Sequence, residues 1–107
     1  MPEPLIPIFV ADLRQVLQIP ETGIASRILQ DDEASKVILL GLATGYEMKL
    51  HAAPVPTILY FVEGEATLTL GDEKMTVRTG ALAHLPSHLK HAIAAGKPVL
   101  MLLIMVK

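Results

Sequence analysis

The 107-residue chain contains no cysteine and no tryptophan. The first absence removes disulfides, thiolate metal sites and thiol nucleophiles together. It also agrees with a reducing compartment, and the expected location is cytoplasmic. With only two tyrosines and two phenylalanines, any core must be aliphatic, built from Leu, Ile, Val, Ala and Met. Charge of one sign is missing too: nine basic residues face eleven acidic ones, for a net −2. Without a basic stripe or a helix-turn-helix segment, no nucleic-acid partner is expected. Long hydrophobic runs are also lacking. The longest, Val99 to Val106, falls well short of the roughly 20 residues of a membrane helix. Met1-Pro2-Glu3-Pro4 has neither the basic region nor the small-residue cleavage site of a signal peptide. The expectation is a protein without a membrane partner.

What remains is an apolar chain, 51% hydrophobic, which excludes disorder and fits one domain with its own core. Residues 1–24 read as a proline-containing arm with a short helix from Asp12 to Leu17, where Val10, Leu13, Val16 and Leu17 recur at helical spacing. Turn chemistry at Pro20-Glu21-Thr22-Gly23 ends it. Residues 25–107 read as strand and turn. Ser26–Gln30, Lys36–Ala43, Tyr46–Ala52, Ile58–Val62, Ala66–Leu70, Met75–Arg78, Ala81–Leu85, Lys90–Ala94 and Val99–Val106 are apolar or alternating segments bounded by Gly, Pro and Asp. About nine short strands argue for an all-β sandwich or barrel. Val99–Val106 is apolar on both faces, as a strand covered on both sides requires.

Two spaced constellations carry chemistry. Gly45 is followed after five residues by His51, and Gly64 closes that segment. Gly80, Pro86 and His91 form the second. With Tyr60-Phe61-Val62-Glu63-Gly64-Glu65 and Leu85-Pro86-Ser87-His88 around them, residues 41–95 resemble the cupin family. Its first motif is glycine, five residues, His-x-His, a later glutamate and a closing glycine. Its second is glycine, five residues, Pro-x-Gly, two residues, His, three residues, Asn. Four positions depart from the pattern. Ala53 stands for the second histidine, Thr57 for the glutamate, His88 for the turn glycine and Ala95 for the asparagine.

The resemblance implies an all-β fold, a cupin-type antiparallel jelly-roll β-barrel with a short N-terminal helical segment. It also implies a pocket at the barrel mouth around His51 and His91. By strand parity Glu47 and Lys49 share the face of His51 and Ala53, Thr57 that of Phe61, and His91 that of Ala95. If those faces look inward, they line a small-molecule pocket. A family metal centre uses three histidines and a carboxylate, and of these His51 and His91 are present. His84 or His88 could supply a third nitrogen, although His88 replaces a turn glycine and needs an unusual backbone angle there.

Two function classes follow. One is a metal-dependent enzyme resembling small cupin dioxygenases or isomerases, holding divalent iron, manganese, nickel, copper or zinc. The other is a metal-free module in which the histidines hydrogen-bond a small organic ligand. Tyr60, of parity opposite to Thr57, is expected outside the pocket. A homodimer is expected, with the arm reaching across the interface.

Overall fold

The computed structural model describes residues 5–107. The first residues of the arm, 1–4, lie outside the described range.

Nine strands form, each where sequence alternation or an apolar run places one. They are β1 (Ile24–Asp31), β2 (Ser35–Leu42), β3 (Glu47–His51), β4 (Thr57–Glu63), β5 (Glu65–Leu70), β6 (Glu73–Arg78), β7 (Leu82–Leu85), β8 (His91–Ala95) and β9 (Val99–Val106). All pairings are antiparallel. One sheet runs β1-β2-β9-β4-β7 and the other β3-β8-β5-β6. Side chains from both inner faces meet in one aliphatic core that includes Leu42, Leu59, Phe61, Leu68, Ile93 and Met101. This is a jelly roll: two sheets rolled around a single core, with most strand edges paired or short.

The expected helix shrinks to a single 3₁₀ turn, Leu13–Gln15. Asp12 caps it, its carboxylate accepting from the Arg14 backbone N–H and from the Arg14 guanidinium. Pro20 biases Ile19 away from helical backbone, which leaves too few residues for a second turn. The segment instead crosses the outside of the five-stranded sheet. Arg27 Nη1 donates to the Val16 carbonyl at 3.1 Å. Ile19 and Pro20 pass so close over Gly41 that a Cβ there would meet both at 3.3 Å. Leu39 and Leu100, beside Gly41 on that outer face, are fully buried as a result. Thus the first part of β9, Val99 to Met101, is covered on both sides.

Gly64, the glycine closing the first constellation, has φ +111, and a Cβ on it would stand 2.2 Å from the Pro98 carbonyl oxygen. The turn between β4 and β5 presses on the β8–β9 connection here, and only glycine permits it.

Candidate functional site

The mouth of the barrel is the end where β3 finishes and where β4 and β8 begin. The 52–56 and 86–90 loops form its rim, tied together by the His88 N–H donating to the Ala53 carbonyl at 2.8 Å. A second tie runs from the Gly71 N–H to the Lys90 carbonyl, also at 2.8 Å.

Strand β3 does not alternate regularly. Met48 pairs with Ile93 and His51 with His91, so Lys49 and Leu50 together oppose the single residue Ala92. This β-bulge resets the parity. Met48 packs on the core, and His51, three residues later, comes back to the same face. Residues directly opposite in an antiparallel ladder share a face, and the two imidazoles meet there. Their centroids are 4.2 Å apart with the rings tilted by 56°. His91 is buried, with 4% of its surface accessible, while His51 lies exposed at the rim.

Each ring is held in the same way. His51 Nδ1 donates to the Lys49 carbonyl at 2.7 Å, and His91 Nδ1 donates to the Leu89 carbonyl at 3.0 Å. A proton committed to Nδ1 leaves Nε2 of the neutral ring as a lone-pair acceptor. Among the described residues no buried side-chain nitrogen or oxygen lacks a partner. The unpartnered Nε2 of His91 is therefore within reach of solvent. Burial pushes the His91 imidazole below the ordinary histidine value, and the neighbouring His51 adds to that. The bond to Leu89 opposes it. His91 is held neutral at pH 7.

The other candidate residues divide. Thr57 is on the inner face at the mouth, 2% exposed, its hydroxyl donating to the Val55 carbonyl at 3.2 Å. Ala53 sits in the rim loop, and Tyr60 points outward and is partly exposed. His88 adopts φ 70, the left-handed backbone expected where it replaces a glycine, and is exposed. His84 pairs with Ile58, whose neighbours Thr57 and Leu59 point inward. His84 is thus on the outer face, so it does not supply a third nitrogen inside the barrel. No group of three or more His, Asp or Glu able to hold a metal forms among the described residues.

Glu47 is also corrected. It pairs with Ala94, on the face opposite to Ile93, so the bulge puts it outside the barrel. Lys49 falls in the bulge itself and is exposed, so it does not line the interior either. Phe61 and Ala95 do face inward, but each is four residues along its strand from the mouth, about 13 Å. Both are part of the solid core rather than of a pocket.

Lys36 is a residue that the strand reading overlooked. It pairs with Met105, which pairs with Thr57, so it shares the inner face at the mouth and is half-buried. Its parity with Ile38, Leu40 and Leu42 was the available signal.

Two rolled antiparallel sheets with a histidine pair at one end define a double-sheet jelly-roll β-barrel. The family model for the Cupin domain matches residues 38–106, and the chain belongs to that family. Among solved structures it is similar to a conserved protein of unknown function from Streptococcus pyogenes, 27% identical with a TM-score of 0.86. That match covers 96% of this chain and 90% of the other. A cupin superfamily protein from Desulfitobacterium hafniense is 24% identical, also at TM-score 0.86, covering 95% of this chain and 94% of that one. A DMSP lyase from Ruegeria pomeroyi shares the fold at 18% identity and TM-score 0.72, over 78% of this chain and 47% of the lyase. No curated protein matches the sequence. Among the described residues no helix is long and apolar enough to cross a membrane.

Proposed function

We propose that the barrel mouth binds a small organic molecule through Nε2 of His51 and His91, with Thr57 on the inner face of the other sheet at the same end. The observation that carries this reading is the matched pair of Nδ1–carbonyl bonds. Such bonds fix ring orientation and tautomer, leaving two acceptors at an accessible opening. Fixed polar groups above an apolar floor are what a small-ligand site needs.

The family's metal donor set does not fit these residues. Ala53 and Thr57 replace two of the four donors, and His84 lies outside. A second reading keeps a metal with fewer protein ligands. Histidines that bind metal through one nitrogen usually anchor the other to a carbonyl or carboxylate, and this pair is anchored in that manner. Divalent iron, manganese, nickel, copper or zinc would then be held by His51 and His91, with water or ligand completing the coordination. Bound there, the ion would supply Lewis acidity. The fold hosts many chemistries, so no reaction is assigned.

Elemental mass spectrometry on untagged protein, loaded with each metal and compared with His51→Ala/His91→Ala, separates the two. Near-stoichiometric metal that disappears in the double variant establishes the metal reading. Metal-free parent protein whose thermal stabilisation by a small-molecule panel depends on both histidines establishes the first reading. Stabilisation that persists in the double variant overturns the first reading, and metal that persists in it, or is absent from the loaded parent, overturns the second.

We infer in addition that the chain forms a homodimer through the outer face of its five-stranded sheet. Tyr60 and Leu82 are exposed there, and Leu5, Ile6, Ile8 and Phe9 of the arm are exposed too, between 60% and 99%. An apolar surface of this kind is a mark of an interaction site.

A further inference from the structure

The bulge in β3 has a second product on the other side of the wall. It turns Glu47 and Leu50 outward, where they border a groove of about 290 Å³ on the outer face of the four-stranded sheet. The groove floor is β8, whose outward residues there are Ala92 and Ala94. Small side chains on an inner strand, flanked by longer ones, leave a trough.

On the far side β5 contributes Thr67 and Thr69, and β6 contributes Lys74. The register fixes the layout. Glu47, Ala94 and Thr67 lie in one row, while Ala92, Thr69 and Lys74 lie in the next. A carboxylate and an ammonium therefore occupy diagonally opposite corners, with two hydroxyls between them. Neither Glu47 nor Lys74 has an ion-pair partner among the described residues. Their strands are the two edges of the sheet, three strand spacings or about 14 Å apart at the backbone. Because the two residues stand in different rows, their backbones are about 16 Å apart on the diagonal, and two long side chains that both line the groove close much of that span. Leu50, 56% exposed, stands at the rim as the apolar contact.

We propose that this groove binds a small zwitterion of amino-acid type, distinct from whatever occupies the barrel mouth. Glu47 takes the ligand's ammonium and Lys74 its carboxylate. Thr67 and Thr69 add hydroxyl hydrogen bonds to those same two groups, and Leu50 with the alanine floor receives an apolar side chain. Opposite charges at the two ends set the polarity of binding and reject ligands that carry one charge alone.

The test is calorimetric titration of the full chain with L-leucine, L-leucinamide and N-acetyl-L-leucine. Leucine is expected to bind saturably, and each single-charge analogue about tenfold more weakly, the usual weight of a charge-assisted hydrogen bond. Glu47→Gln is expected to lower leucine to the level of N-acetyl-L-leucine, and Lys74→Gln to the level of leucinamide. Ala94→Leu, which fills the floor, is expected to abolish binding, with circular dichroism confirming the fold of each variant. The His51→Ala/His91→Ala variant is expected to bind leucine as the parent does. Absence of saturable leucine binding overturns the proposal, as does binding indifferent to both charge changes. Loss in the double histidine variant also overturns it, because leucine would then be in the barrel.

Discussion

His91 couples its protonation to folding. Burial holds its folded-state value below the ordinary value of about 6.5, as described above. The unfolded chain therefore binds more protons in the interval just beneath that value, and stability falls as pH falls through it. Above that value this group adds no pH dependence. Denaturant midpoints measured between pH 5 and 8 are expected to drop on the acid side, with a shallower drop in His91→Gln. Two backbone positions give sharper expectations. Gly64→Ala must displace the Pro98 carbonyl and adopt φ +111, a combination expected to cost about 3 kcal/mol or more. His88→Gly acts in the opposite direction. Relief of a left-handed non-glycine residue, about 1–2 kcal/mol, outweighs the added chain entropy of glycine, about 0.5–1 kcal/mol. Equilibrium unfolding of both variants checks the pair, and a His88→Gly variant less stable than the parent contradicts the account of that turn.

At the scale of elements, β3 decides what the mouth contains. Alternation read from the sequence placed Glu47, Lys49 and His51 on one face, and the bulge at Lys49 and Leu50 broke that inference. Nothing in those residue types announces a bulge, since neither is glycine or proline. Beyond it, parity held: Thr57 and His91 are inside and Tyr60 is outside. The strands themselves were legible because each apolar segment ends in Gly, Pro or Asp chemistry. The aromatic-poor core was legible from composition. The outer groove was not, because it depends on register between β3, β8, β5 and β6, which no single strand encodes. The donor set at the mouth can be tested at this scale by rebuilding it. Ala53→His/Thr57→Glu supplies the two missing family ligands, and its zinc or nickel affinity is expected to exceed the parent's by about tenfold or more, the size of effect that extra donors confer. Unchanged affinity by calorimetry means that the mouth cannot converge four donors.

For the whole molecule, the exposed arm and outer sheet face set the expectation of a dimer. Light scattering is expected to give twice the 11.6 kDa chain mass. Leu82→Glu, changing a residue 69% exposed on that face, is expected to shift the mass to that of the monomer while leaving the histidine pair intact. A monomeric parent refutes the interface. The same architecture puts the histidine pair and the zwitterion groove back to back, with His91 inside and Ala92 outside on one strand. The wall between them is one sheet thick.

The bulge also bears on how kinship with other barrels should be traced. It gives β3 one residue more than a plain ladder needs, so a shorter cousin could lose that residue and still superpose on both Met48 and His51. An alignment would show only a harmless gap beside a retained histidine. Yet the carbonyl that anchors the His51 ring belongs to the bulge, and the gap would remove the anchor while leaving the ring in place. In such a lineage the length of the strand between Gly45 and His51, rather than the histidine itself, would mark whether the imidazole is held or free to turn.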